Sequence, residues 1–214
     1  MPFGLSKIMS SLDNSEILFT YNMDIFLTRH GESVYNTLGK LGGNSGLSKR
    51  GSIYAEKLAN YFNKYDNLKV ITSKLDRTIE TAAPLIFTKE SQICLNEINA
   101  GICEHFTYEE IKEKYPNINK SRSLDKLNYR YPEGESYMDL IERVDYFIND
   151  LKKFSNKKIL IIAHQAALRA FIGLLSKKSY KDIPYISVPL HSVKHIRLDN
   201  DFNIIKTESI IFEI

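Results

Sequence analysis

Ile25-Phe26-Leu27-Thr28-Arg29-His30-Gly31-Glu32-Ser33 is the stretch on which the reading of this chain turns. An apolar run of strand length gives way at once to a cation, an imidazole and a glycine. A second run, Ile159 to Ala163, closes in the same manner on His164. Read as strands that lead into helices, both runs carry a histidine at the carboxyl end. In an open parallel sheet ligands collect at that edge, where loops converge and helix N-termini present unbonded N–H groups. Two histidines and an arginine gathered there suggest chemistry on a phosphate.

The pattern around these runs alternates strand and helix. Asp24–Thr28 is the first expected strand, then a short helix over Ser33–Leu38 and a glycine-rich loop from Gly39 to Gly46. Ser48 is placed as the N-cap of a helix whose apolar face is Ala55, Leu58, Ala59, Phe62 and Tyr65. Lys69–Thr72 follows as a strand, and Ser73 with Asp76 resembles a capping box opening a helix through Phe87. Gln92–Leu95 is expected as a short strand. From Asn96 to Glu135 the pattern is irregular apart from a turn or two of helix around Tyr108–Tyr115, as in a lid or binding loop. Ser136 and Asp139 start another helix, Lys158–Ala163 is a buried strand, Gln165–Leu175 a helix, and Val193–Leu198 and Asn203–Phe212 close the sheet. The expected class is α/β, a three-layer sandwich with helices on both faces of a mostly parallel sheet.

The 214 residues suffice for one domain with a sizeable core, expected over 24–214 behind an N-terminal extension, 1–23. A net charge of +3, from 29 basic and 26 acidic residues, is too weak to imply nucleic acid but suits an anionic small substrate. The lysine-rich runs at 152–158 and 177–181 hold a single aromatic each, Phe154 and Tyr180, and read as solvated helix ends, so no nucleic-acid partner is expected. Cys94 and Cys103 fit no metal or redox spacing and read as free thiols of a cytoplasmic protein. No stretch approaches the ~18 residues of a membrane span, and the first residues lack the apolar core of a secretory signal. Oligomeric state is left open.

The chemistry follows from where the side chains fall. A neutral imidazole nitrogen at this edge can displace an alkoxide from phosphorus and split one slow step into two. Arg29 and Arg77 offer bidentate donors to the transferring phosphoryl oxygens, a protonated His164 adds a third cation, and Asn36 a further hydrogen bond. Glu97 is the candidate acid for the leaving oxygen, and then the base for water. The turn-rich loop containing Gly42 approaches the phosphate. Nothing in this scheme calls for a metal or other cofactor. His105, His191 and His195 read as structural or surface residues.

The matching text is long: LTRHGES at 27–33, GGNSGLSKRG at 42–51, TSKLDRTIETA at 72–82, LNEINAGICE at 95–104, RYPEGESY at 130–137, AHQAALRA at 163–170 and PLHSV at 189–193. With these motifs the chain resembles the histidine phosphatase, or phosphoglycerate mutase-like, superfamily. Within it the likeness is greatest to the fructose-2,6-bisphosphatase domain of the bifunctional enzyme that also makes that sugar. The resemblance implies His30 as the phosphorylated nucleophile, Arg29, Asn36, Arg77 and His164 around the phosphoryl group, and Glu97 as the acid. It further implies that Tyr108, Arg122, Lys126, Gln165 and Arg169 hold the sugar and its other phosphate. Four positions and one run depart from the bisphosphatase pattern, which has a more basic, tyrosine-rich run before Tyr129. Ala163 stands for a cysteine, Asn44 for an aspartate, His105 for a glutamate, and Glu133 for a basic residue, placing a negative charge beside the lid. No G-x-x-x-x-G-K-[ST] cradle occurs in these 214 residues. The implied activity is hydrolysis of a phosphomonoester through phosphohistidine, on a sugar such as fructose 2,6-bisphosphate. The alternatives are a broad-specificity phosphatase, a cofactor-dependent phosphoglycerate mutase, and a catalytically dead scaffold on the same fold.

Overall fold

The computed structural model describes residues 21–214 except 156, so most of the expected N-terminal extension, 1–20, lies outside the described residues. The two apolar runs form β1 (Tyr21–Arg29) and β4 (Lys158–Ala163), paired in parallel with Arg29 opposite Ala163. On the far side of β4 lies β2 (Leu68–Thr72), with Thr72 opposite Ile162, and beyond it β3 (Lys89–Ser91). β5 (Ser192–Asp199) and β6 (Ile204–Ile211) extend the other edge antiparallel, giving the order β3-β2-β4-β1-β5-β6. The sheet is therefore parallel through its first four strands. Those strands bring their carboxyl ends to one edge.

Strand side chains alternate between two faces. Ile159, Ile161 and Ala163 of β4 join Ile25 and Leu27 of β1 beneath α6 (Tyr137–Leu151) and α7 (Gln165–Leu175). Leu160 and Ile162 join Phe26 on the opposite face, against α2 (Lys49–Phe62) and the end of α3 (Asp76–Ala82). Both faces of β1 and β4 are thus buried, at about 1.5–3 kcal/mol for each fully buried Leu, Ile or Phe. Tyr65 lies past the end of α2 yet packs edge-on to Phe26.

Ser48 and Ser136 cap α2 and α6 as expected, and Ser33 caps the one-turn α1 (Val34–Thr37). Three expectations are corrected. Leu75, not Ser73, occupies the N-cap of α3, and the Ser73 hydroxyl accepts from Leu75 N instead. That helix stops at Ala82 rather than Phe87, because Pro84 has no N–H for the next helical bond and its ring would strike the preceding turn. The short strand falls on Lys89–Ser91, while Ile93–Leu95 forms a 3-10 turn.

The irregular stretch holds two helices, α4 (Tyr108–Lys114) and α5 (Pro116–Leu124), the latter opening with its proline where no N–H is needed. Around them Ala100, Cys103, Ile111 and Tyr131 form a small core of their own. The glycine loop is laced to this lid by Leu41 N to Phe106 O and His105 N to Leu41 O, both 2.9 Å. Neither cysteine is bridged, and burial raises both thiol pKa values. Among the described residues no helix is long and apolar enough to cross a membrane.

Candidate active site

Strand register brings the two histidines together. His30 N donates to Ala163 O at 3.0 Å, one step past the Arg29–Ala163 pair, and the next residue of β4's chain is His164. The rings stand 5.1 Å apart, tilted by 52°. Gly31 is required by close approach: a Cβ there would lie 2.5 Å from the carbonyl oxygen of Gly51 in the first turn of α2.

His30 is 3% exposed, and its Nδ1 faces Gly31 O at 2.7 Å. A carbonyl only accepts, so Nδ1 carries the proton and Nε2 presents its lone pair. Arg77 Nε donates to that Nε2 at 3.2 Å, and Arg77 Nη1 to Gly43 O at 2.8 Å. Burial, then the Arg77 charge, holds the His30 pKa well below its ordinary value, so the ring is neutral near pH 7. The same guanidinium lies within reach of any group that bonds to Nε2.

His164 is fully buried, with Nε2 2.7 Å from Ser73 Oγ. Its Nδ1 has no hydrogen-bond partner among the described residues. Ser73 Oγ accepts from Leu75 N and also lies 2.9 Å from Thr78 Oγ1; directed at Nε2, its proton selects one tautomer of the ring. In that tautomer Nδ1 is a donor. Burial, then the charge on Arg77, depresses His164 as well. The expected third cation is accordingly neutral here; an anionic phosphoryl group would favour its protonation.

Glu97 sits between its own loop and α7. One carboxylate oxygen accepts from Ile98 N at 3.0 Å and Ala166 N at 3.1 Å, which leaves the other to carry or take a proton. Asn36 Oδ1 accepts Ser33 N in the cap of α1, so its amide NH₂ is the group left to donate. Arg29 Nη1 donates to Val188 O, while its buried Nε has no partner among the described residues.

A cavity of about 330 Å³ is lined by Arg29, His30, Asn36, Gly42, Arg77 and Glu97. The same cavity is lined by Tyr108, Arg122, Lys126, Gln165 and Arg169. Every expected site residue is therefore gathered there except His164, whose ring stands 5.1 Å from that of His30. Arg122 rests 5.3 Å from the centre of the Tyr108 ring, and Lys126 Nζ donates to Pro184 O at 2.9 Å. Arg169 lines the same cavity, its charge opposing both Arg29 and Lys126. Clustered, half-desolvated cations of this kind favour a multiply charged anion.

A match to the histidine phosphatase superfamily (branch 1) extends over residues 25–210. The chain belongs to that superfamily. Curated relatives include the human 6-phosphofructo-2-kinase/fructose-2,6-bisphosphatase 1, 42% identical over 89% of this chain, and the Gallus gallus bifunctional enzyme, 47% identical over 79%. The chain spans only 42% and 36% of those two proteins. Among solved structures, the alpha-ribazole phosphatase of Shigella flexneri aligns over 85% of this chain and 93% of its own, with a TM-score of 0.78 at 23% identity. A mycobacterial glucosyl-3-phosphoglycerate phosphatase aligns over 89% and 98%, with a TM-score of 0.74 at 20% identity. These two carry the fold alone.

Three of the departures from the bisphosphatase pattern have a clear place in this member of the superfamily. Asn44 Oδ1 accepts Asp76 N at the start of α3, and His105 Nδ1 faces the Tyr35 hydroxyl at 3.0 Å. Glu133 sits in an exposed turn at φ 59° and does not line the cavity, so the expected negative charge falls outside it. His195 packs against Asp24 and Phe26, whereas His191 touches the nucleophile's loop by accepting Glu32 N at 3.3 Å. Tyr137 was legible only as a core residue of α6, yet it lines the cavity and its hydroxyl accepts from Arg169 Nη1 at 3.2 Å. Lys40 also lines the cavity without having been singled out. Among the described residues no cluster of His, Cys, Asp and Glu is placed to hold a metal ion.

Proposed function

We propose that this chain is a phosphomonoester hydrolase that works through phosphohistidine at His30, on a phosphorylated sugar for which fructose 2,6-bisphosphate is the foremost candidate. One observation carries the reading: a single cavity joins an oriented, neutral imidazole and a carboxyl group to a second set of cations, Arg122, Lys126 and Arg169. The first set suits a reacting phosphoryl group and the second a phosphate that does not react. Binding energy at the second set orients the first.

In the first half-reaction His30 Nε2 attacks phosphorus, the P–O bond to the sugar breaks, and the Glu97 carboxyl proton passes to the leaving oxygen. Arg29, Arg77, Asn36 and His164 donate to the three phosphoryl oxygens as charge spreads over them. In the second half, Glu97 as carboxylate takes a proton from water, the hydroxyl bonds to phosphorus, and the N–P bond breaks. Inorganic phosphate leaves, and both His30 and Glu97 are restored. The partner is a small phosphorylated metabolite. We place the protein in the cytoplasm, in keeping with such a substrate and with two unbridged thiols.

The test is kcat/KM for phosphate release from fructose 2,6-bisphosphate, 3-phosphoglycerate and p-nitrophenyl phosphate side by side. A preference of several decades for the bisphosphate is expected. Comparable values for all three would replace this reading with a broad-specificity phosphatase. Conversion of 3-phosphoglycerate to its 2-isomer on supplying 2,3-bisphosphoglycerate would replace it with a mutase.

A further inference from the structure

Arg143 lies on α6, on the border of the apolar face that Leu140, Ile141 and Val144 bury in the core. All five of its N–H donors are engaged, and all on one short segment or on the residue that braces it. Nη1 donates to Cys94 O at 2.6 Å and Asn96 O at 3.0 Å, and Nη2 to Glu97 O at 3.2 Å. Nε and Nη2 grip the two oxygens of Glu135 at 2.8 and 2.9 Å. Glu135 itself accepts Asn99 N at 2.9 Å, and its backbone N donates to Asn99 O at 2.9 Å. The backbone of residues 94, 96, 97 and 99 is thereby fastened to a core helix.

We propose that Arg143, braced by Glu135, is a positioning residue for proton transfer by Glu97. The inference rests on the reading of Glu97 as the acid. Glu97 lies in a segment between two 3-10 turns, Ile93–Leu95 and Gly101–Cys103, with no helix or sheet ladder of its own. Its carboxylate is anchored through one oxygen, to Ile98 N and Ala166 N. The direction of the other oxygen is therefore set by the pose of the backbone that Arg143 holds. A planar guanidinium reaches three carbonyls and a carboxylate at once; a lysine ammonium has three donors on a flexible stem and does not. Plain satisfaction of buried carbonyls would require the same hydrogen bonds. The two roles separate in the reaction, because a displaced acid harms only those substrates whose leaving group needs a proton.

The experiment measures kcat/KM for an alkyl phosphate and for p-nitrophenyl phosphate in Arg143→Lys, Glu135→Gln and Glu97→Gln. Circular dichroism checks folding, and the phosphoenzyme burst counts competent sites. For Arg143→Lys the alkyl phosphate is expected to lose on the order of 10²-fold, as for a misplaced catalytic group, with p-nitrophenyl phosphate losing far less. Glu135→Gln, which leaves the arginine in place, should show the same split at smaller size and reports even if Arg143→Lys fails to fold. Equal loss on both substrates, or no loss, in a folded Arg143 or Glu135 variant while Glu97→Gln shows the split would overturn the positioning role. Absence of a split in Glu97→Gln itself would overturn the acid assignment, and the role of Arg143 with it.

Discussion

Lys126 is an ammonium half removed from water and set among like charges. Desolvation first, then Arg169 and Arg122, lowers its pKa to about 8. The charged form therefore prevails below that pH and is lost above it. An anion bound beside it favours the cation, so the break belongs to the free enzyme and appears in kcat/KM rather than kcat. We expect kcat/KM for fructose 2,6-bisphosphate to fall as pH rises through about 8. Lys126→Arg should flatten that limb. A limb that persists unchanged in the arginine variant would assign it to another group. The residues that sequence reasoning found here share a kind of signal: His30, Arg77, Glu97 and His164 are polar groups just past apolar runs, where burial is unexpected without a task. Tyr137 offered no such contrast. It stands at helical spacing with Leu140, Ile141 and Val144, and its hydroxyl gives no sign in the sequence that it faces a cavity.

The lid is the element with an energetics of its own. Ala100, Cys103, Ile111 and Tyr131 are buried against one another, apart from the two cores that flank the sheet. Removing a buried Ile side chain down to Ala costs about 2–5 kcal/mol. In Ile111→Ala that cost falls on local opening of the lid, since separate units open separately. KM for the bisphosphate should rise several-fold while kcat/KM for p-nitrophenyl phosphate stays near wild type and Tm moves little. A Tm loss as large as that of a Leu140→Ala variant would show that lid and core melt as one. The same separateness explains which elements were hard to read. α5 buries no residue and carries Asn, Lys and Ser without apolar period, so it read as irregular chain. β3 is a three-residue edge strand with its outer residues exposed, whereas the apolar Ile93-Cys94-Leu95 nearby is a turn that only looks like a strand. The strands β1 and β4, buried on both faces, announced themselves as unbroken apolar runs.

At the scale of the whole molecule, the sheet's parallel register concentrates buried positive charge at one edge, and the fold bears the cost of that until an anion arrives. Arg29 shows it most plainly. Burial, outweighing the pull of Glu97, lowers its pKa, with Arg169 and Arg77 adding repulsion, and its Nε is unpartnered among the described residues. A group whose charge the folded state disfavours lowers stability while it remains charged. Arg29→Met should then leave Tm in phosphate-free buffer unchanged or slightly higher. Inorganic phosphate at a hundred times its Kd adds about 2.7 kcal/mol to the wild type, which for a domain of this size is roughly 5–10 °C in Tm. The variant should lose most of that rise. A drop of several degrees in phosphate-free buffer would mean that Arg29 is a net support of the fold through Val188 and Glu97, and that the site carries no stored repulsion. The opposite result, a stable variant blind to phosphate, would show that the cations at this edge are maintained against stability for the sake of the anion they hold.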